Sequence, residues 1–240
     1  MKKKIALLFI IASLGCTSHA HLNSPAGPDT SSDAIERYQK LLEANPDDAT
    51  AYNRLREMLA TPQVSDQQVK AIRELLHRYA HVGKASLASS EEPGDKLNIT
   101  GKVKDDTGKA IAGATLYVFQ TDATGHYSRG SAMNEGNPRL FAYMKSSADG
   151  GFEFDTIRPG GYPTPTGRDD EQNRIPQHIH LQITAAGYQF RNFEFVFGDD
   201  PRLTPYWRDW AIKRGHTILN VQKDSAGTQR GSADIILKAQ

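Results

Sequence analysis

Two histidines two residues apart, His178 and His180 in "RIPQHIHLQIT", are the first residues whose types and spacing could do chemistry. In an extended strand, alternate side chains point the same way. His178, His180 and Gln182 then share one face, and Ile179, Leu181 and Ile183 fill the other. Such a strand can present two neutral nitrogen donors to a metal ion. It can equally hold two buried, hydrogen-bonded histidines, and the pair alone does not decide between them. Two tyrosines in loops add to it. Tyr127 follows a strand and a glycine turn in "VFQTDATGHYS", and Tyr162 sits in the Pro/Gly loop "TIRPGGYPTP". Either ring could pack at a sheet edge with its hydroxyl on backbone. Loops on a rigid scaffold are nonetheless where chemistry is usually carried. A second histidine pair, His77 and His81, has the i, i+4 spacing of a helical metal pair. No carboxylate or cysteine pattern accompanies it, and it reads as surface histidines.

The elements that must position these residues change character along the chain. From Asp33 to about Val82 the apolar residues recur with helical period: Ile35, Tyr38, Leu41 and Leu42, then Tyr52, Leu55 and Leu59, then Val69, Ile72, Leu75, Leu76 and Tyr79. Asp33-x-x-Glu36 and Ser65-x-x-Gln68 resemble capping boxes, and Asn45-Pro46 and Thr61-Pro62 fall at the breaks. Residues 33–82 therefore predict three helices resembling one tetratricopeptide-type repeat. Such repeats normally need neighbours to close a core, so this segment reads as an appendage with a docking or spacer role. Residues 83–96, "GKASLASSEEPGDK", are polar and rich in Gly, Ser and Pro, the composition of a linker. From 97 to 240 the period is two. "LNITGKV", "ATLYVFQ", "GGFEF", "HIHLQIT", "FRNFEFVF", "TILNV" and "ADIILKA" are short strands between glycine-containing turns. The fold class expected is mainly β, an antiparallel β-sandwich preceded by a small helical segment.

Composition narrows the partners. With 29 basic and 28 acidic residues in 240, no long-range field points to nucleic acid. The N-terminus "MKKKIALLFIIASLGCTSHA" has three lysines, an apolar run and then small residues, the pattern of an export signal over residues 1–20. Two processing routes fit it. Leu14-Gly15-Cys16 resembles a lipobox that would lipidate Cys16, and Ser18-x-Ala20 offers an ordinary cleavage site. A Ser/Pro/Gly-rich tether, residues 21–32, follows. The protein is thus expected in the periplasm or cell envelope. Cys16 is the only cysteine, so no disulfide forms within the chain.

The order of motifs resembles one family. "GKVKDDTGKAIAGATLYVFQTDATGHY", "DGGFEFDTIRPGGYP", "PQHIH" and "FGDDP" follow one another as in the intradiol ring-cleavage dioxygenases, which include catechol 1,2- and protocatechuate 3,4-dioxygenases. The resemblance covers roughly residues 97–201. It implies a mononuclear non-haem Fe(III) cofactor held by Tyr127, Tyr162, His178 and His180. Tyr127 would match the tyrosinate that stays bound and Tyr162 the one that substrate displaces. Ferric iron is a hard cation that stabilises phenolate, and imidazole supplies neutral nitrogen. The implied reaction cleaves a catecholic ring between its hydroxylated carbons with O2, giving a cis,cis-muconate-type diacid. Catecholic small molecule and O2 are then the partners, with oligomerisation left open. Two positions depart from the family. Ile175 stands where it carries an arginine that steadies charge on the substrate, and Arg174 is one residue earlier. Phe193 stands at the aligned place of a glutamine, so that role is unfilled or moves to Asn192 or Glu194. A different class of reading is a non-catalytic exported sandwich module that binds envelope components.

Overall fold

The change of apolar period near residue 83 is also a change of element. The computed structural model describes residues 29–59, 61, 63–128, 135–164 and 174–240. The export signal, Cys16 and most of the tether lie outside the described residues. Helix α1 (Ser32–Ala44) starts after Ser31, whose side chain accepts the Ala34 N–H at 3.2 Å. The cap therefore lies two residues before the Asp33 box expected from the sequence. Helix α2 (Ala49–Met58) starts on Asp48, which accepts from Ala51. Helix α3 (Asp66–Arg78) carries the complete Ser65/Gln68 capping box, satisfying two N–H groups that a helix start leaves open. Because α3 ends at Arg78, His81 is not on it and the i, i+4 pair does not form. His77 meets the edge of Tyr143 at 5.5 Å, and His81 packs on Tyr52 at 4.4 Å.

The strands are β1 (His81–Val82), β2 (Lys84–Ser86), β3 (Lys96–Asp105), β4 (Thr115–Gln120), β5 (Leu140–Lys145), β6 (Gly151–Ile157), β7 (Tyr162–Pro163), β8 (Arg174–Ile175), β9 (His178–Thr184), β10 (Arg191–Phe197), β11 (Thr217–Leu219), β12 (Val221–Lys223), β13 (Gln229–Ser232) and β14 (Ile235–Leu237). Among the described residues they form two sheets. One runs β1-β5-β4-β9-β10-β11, and the other β12-β13-β3-β6-β2 with β14 also on β3. A short β7-β8 ribbon joins the tyrosine loop to the approach to the histidine strand. The central ladders, β5-β4-β9-β10 and β3-β6, are antiparallel. The strands β1, β2 and β11 join parallel to their neighbours, β13 and β14 run parallel to β3, and β12 is antiparallel to β13. The sandwich is thus antiparallel at its centre and mixed at its edges.

Between the sheets lies one apolar core. Leu116 and Val118, Ile179, Leu181 and Ile183, and Phe193, Phe195 and Phe197 face Leu97, Ile99, Phe152 and Phe154. The alternation read from "HIHLQIT" is therefore the one that packs. The segment 83–96 is not a free linker. Its β2 pairs with β6, Leu87 is buried, and Glu92 makes a two-pronged ion pair with Arg139 at 2.6 and 2.7 Å. Its Ala and Leu side chains have a sheet edge to bury against, which composition alone does not reveal. Helix α4 (Pro205–Lys213), between β10 and β11, was not expected from the strand pattern. Its start signal, Thr204 as cap and Pro205 in the first turn, is nonetheless in the sequence.

Nor are the three helices an appendage. They cover the outer face of the β4-β5-β9 sheet, sharing one apolar cluster with Phe119, Phe141, Tyr127 and Tyr162. A single helical repeat cannot bury its own apolar stripes, and here the aromatic rings of the sheet complete it. The Tyr52 hydroxyl donates to the Tyr143 carbonyl and accepts its N–H, both at 3.3 Å. Arg73 bonds the Tyr117 hydroxyl at 3.1 Å and lies over the Phe141 ring.

Candidate metal centre

The outer face of β9 carries His178 and His180, and the side chains that meet them come from two loops. Tyr127 is placed by a turn built on Asp122, whose Oδ1 accepts from Thr124 N, the Thr124 hydroxyl and His126 N at 2.9, 2.7 and 3.1 Å. Burial pushes that carboxyl up, but these bonds outweigh it and hold Asp122 below the usual carboxylate range. Gly125 in the turn has φ +90°, a conformation that favours glycine. The turn rests against the Tyr162 loop. Gly160 N–H donates to the Asp122 carbonyl at 2.7 Å, and the Thr121 hydroxyl donates to the Gly160 carbonyl at 2.8 Å. A Cβ on Gly160 would lie 2.5 Å from Gly125 N and 2.6 Å from Ala123 O. Both tyrosine loops thus need these glycines to approach.

Two acidic residues of "FGDDP" anchor the histidine strand at its start. The Asp200 carboxylate accepts the Gln177 N–H at 2.6 Å and the Arg202 N–H at 2.9 Å. Arg158, of the Tyr162 loop, bonds the Gln177 side chain at 2.7 Å and Asp199 at 2.8 Å while lying 3.8 Å over the Phe197 ring. His178 and Tyr162 are thereby fixed to one frame.

The four expected ligands come together. Tyr127 Oη is 3.1 Å from Tyr162 Oη, 3.4 Å from His178 Nε2 and 2.7 Å from His180 Nε2. Tyr162 Oη is 3.3 Å from His178 Nε2, and the two Nε2 atoms are 3.0 Å apart. His178 Nδ1 lies 2.7 Å from the Pro176 carbonyl, which can only accept, so in the neutral ring its Nε2 carries a lone pair into the cluster. Donor–metal bonds of about 2 Å at right angles separate neighbouring donors by about 2.8 Å, close to these spacings. The donor set of two phenols and two imidazoles therefore fits a single small, hard cation.

Electrostatics agrees with that fit. Tyr127, 1 % exposed, is pushed well up in pKa by burial and then by Tyr162 beside it. Tyr162 is also pushed up by burial, partly offset by the hydrogen bond with Tyr127. Burial pushes both imidazoles down, His180 to about 2. The protein alone therefore keeps the rings neutral, with nitrogen lone pairs available. Ionising the phenols there requires a cation in their midst.

Sequence reasoning missed other neighbours. Phe119 stacks on His180 with centroids 4.5 Å apart and planes 4° from parallel. The Tyr162 hydroxyl donates to Glu135 at 3.3 Å. Glu194, not Phe193, faces the site. Phe193 belongs to the core between the sheets, and Glu194 pairs across the ladder with His180. Pleat parity in "NFEFVF", with three phenylalanines on alternate positions, carried that signal. Asn192 pairs with Gln182 further along. Arg174 pairs across the ribbon with Pro163 and donates to the Gly161 carbonyl at 2.9 Å, so it binds the backbone that carries Tyr162.

Comparison with known proteins converges on one chemistry. A family model described as dioxygenase matches residues 76–231, well over half of the chain. Chlorocatechol 1,2-dioxygenase of Rhodococcus opacus is 33% identical over 123 residues, which is 48% of this chain and 48% of that protein. Catechol 1,2-dioxygenase 1 of Acinetobacter lwoffii is 29% identical over 161 residues, 62% of this chain and 50% of the other. The match spans about half the length of these curated relatives. Among solved structures, the dioxygenase domain of a dioxygenase–carbohydrate-binding fusion from Streptomyces sp. SirexAA-E superposes with a TM-score of 0.51. It is 26% identical and covers 67% of this chain and 90% of that one.

Proposed function

The chain belongs to the intradiol ring-cleavage dioxygenase family, and from that premise we propose that it cleaves a catecholic ring between its two hydroxylated carbons with O2, giving a cis,cis-muconate-type diacid. The ferric ion would be held by Tyr127, Tyr162, His178 and His180. What carries the reading is the convergence of those four donor atoms in one buried cluster. When bound, the ion supplies the positive charge that ionises the phenols and draws electron density from a coordinated catechol, opening its ring to O2.

The chain's own residues then have distinct tasks. Tyr127, buried against Phe119 and held by the Asp122 turn, stays in place. Tyr162 is the tyrosine that gives way to substrate. Its loop joins the β7-β8 ribbon, and its Oη faces Glu135, so the freed oxygen can take a substrate proton with a carboxylate beside it. His178 and His180 supply lone pairs at fixed orientation, one set by the Pro176 carbonyl and the other by the Phe119 stack. Arg174 is the cation we assign to steadying charge on the substrate, from its place beside the Tyr162 loop. Ile175 and Phe119 pack against the tyrosines of the cluster on its apolar side. We also place the protein outside the cytoplasm, in the periplasm or anchored through Cys16, on the strength of the N-terminal sequence.

The test is oxygen uptake by iron-loaded protein against a catechol panel, followed alongside the visible spectrum. Tyrosinate-to-iron charge transfer should colour the loaded protein, added catechol should shift the band, and Tyr162→Phe should change both band and turnover. A pure, iron-loaded protein that is colourless and indifferent to catechol would refute the reading.

A further inference from the structure

Register places Glu194 of β10 opposite His180 of β9, on the face that carries the metal-binding cluster. Residues paired in this way have neighbouring side chains. Glu194 Oε1 lies 3.6 Å from His180 Nδ1, with both side chains largely buried. The opposite ring nitrogen, Nε2, points into the cluster at 2.7 Å from Tyr127 Oη. One edge of His180 is thus turned to the ligand set and the other to a carboxylate. Among the described residues no hydrogen bond competes for Nδ1.

Glu194 is itself held in place. Its N–H donates to His216 Nδ1 at 2.9 Å, and the His216 ring stacks on Trp210 at 4.9 Å. With His178, Trp207 and Trp210, Glu194 lines a narrow cleft against α4. The two imidazoles are therefore backed differently, His178 by the neutral Pro176 carbonyl and His180 by an acidic side chain.

We propose that Glu194 is a positioning residue that acts through His180: its carboxylate, facing Nδ1 at 3.6 Å as a charge partner, favours the tautomer with the proton on Nδ1 and makes Nε2 a stronger donor to the ferric ion. The inference rests on the ferric reading above. A carboxylate behind a metal-bound histidine raises its basicity, and losing such a partner typically weakens metal binding 10–100-fold. A neutral partner of the same size would leave the ion more electron-poor.

The experiment compares wild type, Glu194→Gln and Glu194→Asp. Ferric affinity is measured by competition with a chelator, and the charge-transfer maximum is read on the loaded proteins. Glu194→Gln keeps the size and loses the charge. It should bind iron about 10–100-fold more weakly and move the band to longer wavelength. Glu194→Asp keeps the charge at longer reach, and its band should stay near the wild-type position with intermediate affinity. A purely structural side chain would change thermal stability without moving the band. Wild-type affinity and an unmoved band in Glu194→Gln, or equal band shifts in both variants, would overturn the inference and leave the ferric site standing. A wild type that takes up no ferric iron would overturn both.

Discussion

Replacing Asp200 by alanine should separate the anchoring of the histidine strand from the ligands themselves. The Asp200 side chain is fully buried, and each of its oxygens accepts one backbone N–H, from Gln177 at 2.6 Å and from Arg202 at 2.9 Å. Alanine leaves both donors without their partner. Each unsatisfied buried donor costs about 1–3 kcal/mol, and bonds to a charged acceptor lie at the upper end. Both donor segments are partly buried, so water recovers a share, and a net loss of about 2–4 kcal/mol is expected. For a chain of this length each kcal/mol lowers Tm by about 2–4 °C, so the midpoint should fall by about 4–16 °C. Asp200→Asn keeps one accepting oxygen but turns an NH2 towards the other donor. It should therefore fall between wild type and alanine. Thermal and urea unfolding of the three proteins measure this, with a chelator competition reporting iron affinity. Because Gln177 is adjacent to His178, affinity should fall in the same order as stability. An alanine variant with unchanged midpoint and unchanged affinity would refute the view that "FGDDP" exists to hold "PQHIH".

Two further perturbations probe the frame. Gly160→Ala would push a methyl against Gly125 N and Ala123 O at 2.5–2.6 Å. It should prise the two tyrosine loops apart and abolish the charge-transfer band more completely than it lowers the unfolding midpoint. A loaded variant with a wild-type spectrum would show that the loops do not depend on this contact. Tyr52→Phe removes the hydroxyl that bridges both backbone groups of Tyr143. It should destabilise the protein by about 1–2 kcal/mol in urea unfolding, whereas helices merely tethered to the sandwich would leave the transition of the sheets unmoved.

The parts legible in the sequence were those decided by neighbours a few residues apart. Alternation in "HIHLQIT" sent Ile179, Leu181 and Ile183 to the core and both imidazoles outward, and the ladder obeys it. The Ser65/Gln68 box capped α3 as its spacing required. What escaped depends on partners far along the chain. Nothing local in "GKASLASSEEPGDK" says that β6 offers an edge to β2 or that Arg139 waits for Glu92. Sharing of the outer face was more nearly visible. In "TLYVFQ" Leu116 and Val118 fill the core, so Tyr117 and Phe119 must find cover on the other side. A strand apolar on both faces is one that is covered on both.

The same parity settles the departure at Phe193. Counting along a family pattern puts a glutamine's role there, but a residue flanked in phase by Phe195 and Phe197 is committed to the core whatever its aligned place. Two-residue periodicity is enforced by every core contact of the strand, and a one-residue slip would bury Asn192, Glu194 and Val196 together. Two of those three are polar. The ladder therefore cannot exchange Phe193 for its neighbour without breaking the sandwich, and Glu194 is the side chain that β10 delivers to His180. On the proposed reading, a carboxylate beside His180 in place of the amide that the resemblance implies is a change of charge, not of shape. Its consequence should be read in the electronic spectrum of the loaded protein before it is read in stability.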